Sequence, residues 1–289
     1  MPSRAPTSGI SEPVGSLRTA AVPLARGAVK WTAAGVDLLR RPAPGIVVLI
    51  YHRVGSGSGG QMDLDAAAFD RQLAWLCEHH RVLTLDAAAD ELSAGSTPAS
   101  AGVVLTFDDG TADWVDTVLP SLERHRVPAT FYVATDFVER GVEFPAGGRP
   151  ATWDGLRELA SSSLVTIGHH THTHALLDRL EPAAVDGELD RATELLGERL
   201  GVAPSHFAYP KAVAGSAVAE AAVRRRFRTA VLAGTRANHP GADLHRISRS
   251  PVQPADGDRW FRAKARGGLG FEDGLRRTAN RVRYRGATS

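Results

Sequence analysis

The sequence predicts an α/β protein in which parallel strands form a closed or nearly closed β/α barrel. Short apolar runs of strand length alternate with amphipathic helical segments over residues 44–265, and this order favours parallel strands joined by helices. About seven such units occur, which suits a barrel better than an open sheet. Polar clusters follow four of the predicted strands, at the end where parallel barrels build their active sites.

The strands are predicted from apolar runs bounded by turn residues. The first, 45–52, contains the longest apolar run of the chain and ends at a Tyr-His pair. The third, 103–107, is equally apolar and ends at a pair of aspartates. The remaining strands are predicted at 82–85, 129–134, 164–168, 206–209, 229–232 and 246–250.

Helices are predicted between these strands wherever apolar residues recur three and four positions apart. They are expected at 65–80, 86–94, 152–161, 182–200 and 216–226, and a further helix after Gly110 is expected to end at about residue 126. Residues 136–150 are rich in glycine and proline and are predicted to form a loop.

Residues 1–43 and 266–289 are predicted to flank the catalytic domain. The first segment begins as a disordered stretch and continues as a helix over 16–41, whose apolar residues fall on one face. Two interpretations stay open for this extra N-terminal helix: it packs on the barrel, or it lies on a membrane surface. The last segment is a basic tail.

The formal charge of +2 is distributed unevenly. Residues 1–43 carry six basic and two acidic residues, and residues 246–289 carry eleven and four, so the central part is acidic. An acidic body does not suit a nucleic-acid binder, whereas basic ends suit peripheral contact with an anionic membrane. One cysteine excludes an intrachain disulfide, and no apolar run of membrane-spanning length or secretory signal is seen. We therefore expect a cytoplasmic protein, and a location at the inner membrane face stays open as an alternative.

Two of the polar clusters have the composition of a metal site. His170 and His174 are four residues apart after a predicted strand, so both imidazoles can reach one ion if the segment opens a helical turn. Asp108 and Asp109 supply neighbouring carboxylates after another strand, one able to bind the ion and one able to act as a base. Two histidines and a carboxylate allow either metal-assisted hydrolysis or non-haem iron chemistry, and the order along the chain favours hydrolysis.

Five segments resemble the polysaccharide deacetylases, also called the NodB-homology or carbohydrate esterase 4 family. They are LTFDDG at 105–110, ATFYV at 129–133, TWD at 152–154, IGHHTHTH at 167–174 and FAYP at 207–210. The last is similar to the variant found in poly-N-acetylglucosamine deacetylases. The resemblance extends over roughly residues 45–252. It implies a distorted (β/α)7 barrel, a divalent metal ion and hydrolysis of an N-acetyl group on a sugar.

The resemblance also implies roles for single residues. Asp109, His170 and His174 would bind the ion, with zinc expected and cobalt, nickel or iron as alternatives. Asp108 would be the general base. Tyr209 and the backbone N–H of Lys211 would face the substrate and the oxyanion. The expected substrates are an N-acetylated glycan or a lipid-linked sugar precursor.

The FAYP segment at 207–210, which is similar to the third motif of the family, departs from the family pattern. Ala208 occupies the position of an arginine that orients the catalytic aspartate in many members, and Arg246 is the predicted substitute. His52 is the preferred candidate for the general acid, and His245 is the other. These departures leave two further functions open: an amidase or imidase acting on a non-sugar C–N bond, and a non-catalytic glycan-binding protein.

Overall fold

Seven parallel strands close into a barrel in the computed structural model, which describes residues 44–95, 100–145 and 147–269. The order around the barrel is β1-β10-β9-β8-β7-β6-β5, and β1 pairs with β5 to close the ring. An eighth strand, β4, pairs only with the start of β5. In this order the strands are β1 Ile46–Tyr51, β10 Ile247–Pro251, β9 Thr229–Ala233, β8 His206–Ala208, β7 Val165–His169, β6 Ala129–Val133, β5 Gly102–Asp109 and β4 Arg81–Val82.

Helices follow most of the strands and form the outer layer. They are α1 Ala66–His79, α2 Leu85–Ser93, α3 Leu119–His125, α4 Thr135–Arg140, α5 Trp153–Ser161, α6 Pro182–Leu200, α7 Ala217–Arg226 and α8 Gly257–Ala265. Two two-residue strands, β2 Arg53–Val54 and β3 Asp63–Leu64, pair with each other beside the barrel. Side-chain caps fix several helix starts, as where Asp65 accepts a hydrogen bond from the N–H of Ala68.

The alternation of side chains along the strands separates an inner from an outer core. Val48, Val104 and Ile247 belong to the inner cluster, together with residues of α2. Since Leu85 and Leu92 of α2 join this cluster, the helix packs against the barrel interior. Alternate residues of the barrel strands face the outer helices in two further clusters. The polar ends of β5, β7 and β8 therefore remain available for a site.

The predicted barrel is confirmed, and most strand and helix limits agree within one or two residues. The loop predicted over 136–150 is partly wrong, because Thr135–Arg140 form α4 at its start. The helix α8 was not predicted. The N-terminal helix and most of the basic tail lie outside the described residues. No helix of the described part of the chain is both long and apolar enough to cross a membrane.

Candidate active site

Asp109, His170 and His174 bring one ligand atom each within 4.8 Å of the others. The Nε2 atoms of the two histidines lie 3.8 Å and 3.6 Å from Oδ1 of Asp109. Asp109 is the last residue of β5, and the two histidines lie on the loop that follows β7. These two strands are the neighbours of β6 in the barrel, so their ends lie on the same side of it. The three residues predicted as metal ligands therefore lie together.

The fit to a metal ion can be tested on spacing and orientation. Zinc ligands about 2.0–2.1 Å from the ion in a tetrahedron lie roughly 3.4 Å apart, close to the two separations observed. The Nδ1 atom of His170 lies 2.7 Å from the carbonyl oxygen of Ala208. A proton on Nδ1 donates this bond and leaves Nε2 as the free lone pair toward Asp109, the arrangement common in metal-binding histidines. The donor set thus fits a divalent ion.

Burial keeps both histidines in the form that binds metal. The pKa of His174 is lowered to about 4, chiefly because burial opposes the charged imidazolium. Burial also lowers the pKa of His170, although the nearby carboxylates act in the opposite direction. At neutral pH both rings are uncharged, and a metal ion need not displace a proton from them.

The backbone around the group is held in unusual conformations. Asp109, Thr171 and His174 have φ angles of 94°, 61° and 62°, in the left-handed region that non-glycine residues rarely adopt. Such conformations cost about 1–3 kcal/mol each and persist only where the surroundings fix them. Gly110, with φ 120°, continues the turn after β5. Backbone strain is thus concentrated at the predicted ligands.

Asp108 forms a buried ion pair with Arg249. The two Nη atoms of Arg249 donate to the two carboxylate oxygens at 2.6 Å and 2.7 Å, and Nη1 also donates to Thr106 at 3.0 Å. The side chain of Arg249 is fully buried, and its guanidinium lies over the ring of Tyr132 at 5.2 Å. This bidentate geometry fixes the carboxylate in one orientation beside the histidines.

The ion pair determines the protonation state of Asp108. Burial, the largest single influence, would raise the pKa of the carboxyl group, but the charge and hydrogen bonds of Arg249 together with His170 and His52 lower the pKa to about 2. Asp108 is therefore ionised at every pH at which the protein is expected to work. The ionised carboxylate can accept a proton, although Arg249 already donates hydrogen bonds to both of its oxygens.

The prediction that Arg246 orients Asp108 is wrong. Arg246 is exposed at the side of the barrel and pairs with Glu220 of α7. Arg249, instead of Arg246, holds the carboxylate of Asp108. Residues three apart on a strand point to opposite faces, so only one of the two arginines can enter the barrel. Ile247 faces the barrel interior, and Arg249, two residues further along the strand, lies on the same face. This alternation could have been read from the sequence.

Tyr209 and Lys211 lie on opposite sides of the end of β8. The ring of Tyr209 packs edge-on against Phe207 in the outer core, and burial raises the pKa of its hydroxyl. Tyr209 is therefore not the predicted side-chain contact to the substrate. Lys211 has a φ of 52° and lies near His174, since its charge adds to burial and His170 in lowering the pKa of that imidazole. Lys211 is consistent with a position at the site.

His52 follows β1 and is half-buried. Its imidazole is close enough to Asp108 to contribute to the low pKa of that carboxyl, after burial, Arg249 and His170. Its carbonyl oxygen accepts a hydrogen bond from the indole N–H of Trp114 at 2.9 Å, which fixes the backbone at this point. The other candidate acid, His245, lies elsewhere, with Nε2 at 2.8 Å from the carbonyl oxygen of Phe227.

A groove of about 320 Å³ opens on the loops that follow β2 and β5. Its lining includes Ala112 and Asp113, three and four residues after Asp109, and acidic side chains from both rims. Asp113 is buried, which raises the pKa of its carboxyl group, and it accepts a hydrogen bond from the N–H of Val54. None of the three predicted ligands lines the groove.

Comparisons with known proteins agree with this geometry. The family model described as polysaccharide deacetylase matches residues 95–230, which contain all five segments that resemble the family. The solved structure of IcaB from Ammonifex degensii superposes with a TM-score of 0.68 and 26% identity, covering 78% of this chain and 99% of that one. Over residues 95–230 the chain is similar to the polysaccharide deacetylases.

Two curated deacetylases share part of the sequence. The poly-β-1,6-N-acetyl-D-glucosamine N-deacetylase of Escherichia coli K12 is 31% identical over 141 residues, 45% of this chain and 21% of that protein. The chitooligosaccharide deacetylase of Bradyrhizobium is 33% identical over 103 residues, 35% of this chain and 42% of that protein. The chain therefore matches less than half the length of either relative.

Proposed function

We propose that the protein is a metal-dependent hydrolase that removes N-acetyl groups from an amino-sugar glycan. The observation that carries the proposal is the pairing of Asp108 with Arg249 directly beside the cluster of Asp109, His170 and His174. One carboxylate is kept ionised by an arginine, and its neighbour faces two neutral imidazoles. This division suits a base next to a metal site.

Asp109, His170 and His174 would hold the ion, and zinc suits two nitrogen ligands and one carboxylate oxygen. A divalent ion bound there would polarise the acetamide carbonyl and lower the pKa of water. That second effect matters here because Asp108, with a pKa of about 2, is too weak a base to deprotonate ordinary water efficiently.

The chain's own residues would then transfer the protons. Asp108 accepts the proton of the attacking water, and its fixed orientation restricts the water to one side of the amide. His52 is positioned to protonate the leaving amine, because it lies near Asp108 at the end of the neighbouring strand β1. The backbone N–H of Lys211 is the proposed donor to the oxyanion. Acetate and a free amino sugar are the products.

The two curated relatives suggest the substrate class. Their names describe N-deacetylases of poly-β-1,6-N-acetylglucosamine and of chitooligosaccharides, which are both polymers of N-acetylglucosamine. We propose an N-acetylated glycan of this kind, or a lipid-linked precursor of one.

Mass spectrometry of candidate substrates after incubation tests the proposal. The purified protein, loaded with zinc, is expected to remove acetyl groups from β-1,6- or β-1,4-linked N-acetylglucosamine oligomers. Asp108→Asn should retain bound zinc while turnover falls by about 10²–10⁴-fold. His170→Ala should lose zinc, as elemental analysis would record.

The alternatives predict different results in the same assay. Hydrolysis of small cyclic imides without loss of acetyl groups from glycans would identify an amidase. Glycan binding that is unaffected by Asp108→Asn, without any turnover, would identify a binding protein. Undiminished zinc in both His170→Ala and His174→Ala would remove the metal site from the proposal.

We also propose that the basic ends of the chain contact an anionic membrane, with the catalytic domain acting on the cytoplasmic face. In the described part, exposed Arg262 and Arg266, at the end of α8, lie over the ring of Trp75, and exposed Arg259 lies over Trp260. Each basic residue near such a surface adds about 1 kcal/mol, and salt weakens this attraction. Co-sedimentation with phosphatidylserine vesicles should decrease as salt increases and as residues 1–43 are deleted. Equal sedimentation of both proteins at low salt would contradict the role of the N-terminal segment.

A further inference from the structure

Glu188 of α6 holds the loop that contains the two histidines. Its Oε2 accepts hydrogen bonds from the backbone N–H groups of His172 and Thr173, at 2.9 Å and 2.8 Å. Its Oε1 accepts from the hydroxyl of Thr173 at 2.7 Å. Both carboxylate oxygens thus bind residues 172–173, which directly precede His174. Hydrogen bonds to an ionised carboxylate are stronger than those between neutral groups.

The loop needs such an external support because its own backbone is unfavourable. Thr171 and His174 both have left-handed φ angles, and Thr171 is β-branched, which makes that conformation still more costly. Glu188 fixes the two peptide groups between them. A relaxed loop would carry the imidazole of His174 away from Oδ1 of Asp109, which lies 3.6 Å from its Nε2, and away from the ring of His170.

The helix itself is a firm support. The carbonyl oxygen of Leu189, the next residue, lies 2.9 Å from Nε2 of His169 at the end of β7. Val185 and Leu189 are buried in the outer core, so the helix is fixed on both sides of Glu188. The other face of the loop is held by α4, where Thr135 contacts Nδ1 of His172 at 2.9 Å.

We infer that Glu188 is a positioning residue that presets His174 as a metal ligand before the ion arrives. The inference deepens the proposed function, because it rests on the metal site. Residues that support metal ligands from outside typically change metal affinity by about 10–100-fold when they are removed. Glu188→Ala should therefore weaken metal binding within that range.

The experiment measures zinc affinity by competition with a chromophoric chelator, together with the visible spectrum of the cobalt form. Glu188→Ala removes all three bonds. Glu188→Gln keeps the carbonyl oxygen for both N–H groups and can donate its amide N–H to the hydroxyl of Thr173. It should bind zinc within a few-fold of the unaltered protein. Glu198→Ala, an exposed change on the same helix, is the matched control and should bind like the unaltered protein.

A second comparison distinguishes positioning from general damage. In a His174→Ala background, Glu188→Ala should cause little further loss of cobalt affinity, because its effect passes through His174. If the two substitutions lower cobalt affinity independently, so that their factors multiply in the double variant, the inference is overturned. Unchanged zinc affinity in folded Glu188→Ala would also overturn it. If the unaltered protein binds no divalent metal, both the proposed function and this inference fail. If the unaltered protein binds zinc and Glu188→Ala binds equally well, only this inference fails.

Discussion

Replacement of Arg249 by methionine tests the central ion pair. Methionine keeps much of the length of the side chain but removes the charge and all three hydrogen bonds to Asp108 and Thr106. The carboxylate of Asp108 then remains buried without a partner. Removing one member of a buried ion pair costs about 3–5 kcal/mol, because the other charge is left uncompensated.

The low pKa of Asp108 reflects the same interaction. Lowering this pKa from 3.8 to about 2 corresponds to roughly 2 kcal/mol, at about 1.36 kcal/mol for each pH unit. Burial opposes ionisation here, so Arg249, His170 and His52 together contribute more than this net figure. Since the folded pKa lies below the unfolded one, this stability is present above about pH 4 and is lost as the pH falls through 2.

Urea unfolding of four proteins measures the coupling: the unaltered chain, Arg249→Met, Asp108→Asn and the double variant. We expect Arg249→Met to lower the free energy of unfolding by about 3–5 kcal/mol. The double variant should be more stable than the sum of the single losses predicts, by about 2 kcal/mol or more. Additive losses, or a loss below about 1 kcal/mol in Arg249→Met, would refute this account of the pair.

Three further changes test other parts of the barrel. Gly168→Ala should destabilise by about 1–3 kcal/mol in urea unfolding, because a Cβ there would lie 2.5 Å from the ring of buried Tyr132. Burial lowers the pKa of His206, so stability is complete above about pH 6.5 and decreases as the pH falls, and His206→Gln should show a shallower decrease between pH 7 and 5. Lys264→Met should cost about 3–5 kcal/mol because it removes the buried ammonium group that pairs with Asp256, while zinc affinity stays unchanged.

The barrel could be predicted from sequence because its strands are apolar on both faces. Runs such as 46–50 and 103–107 have few alternative structures once turn residues bound them, and their polar ends then mark the site. Helix α8 shows the opposite case. It is mostly polar and exposed, with Phe261, Lys264 and Ala265 as its buried residues, so its burial depends on the barrel against which it packs.

The metal ligands could be predicted for a similar reason, whereas their supporting partners could not. Asp109 and the two histidines directly follow predicted strands, so the chain itself indicates their position. Arg249 and Glu188 act from strands and helices that are distant in sequence, 141 residues from Asp108 and 15 from Thr173. Their partners depend on strand register and helix rotation, which short sequence patterns leave open. Strand parity would have favoured Arg249 over Arg246, and it would also have placed Tyr209 with Phe207 on the outer face.

The two neighbouring aspartates differ because the strand ends between them. Asp108 keeps the parity of Val104 and Thr106, so its carboxylate points into the barrel and meets Arg249. Asp109 has a φ of 94°, and its carbonyl oxygen is held by the N–H of Ala134 at 2.8 Å. That turn directs its carboxylate toward the histidine loop rather than to the outer face that strict alternation would require. One left-handed residue thus gives two adjacent carboxylates different partners, an arginine and a pair of neutral imidazoles. A base and a metal ligand require this difference, and two aspartates in a regular strand could not provide it at a single site.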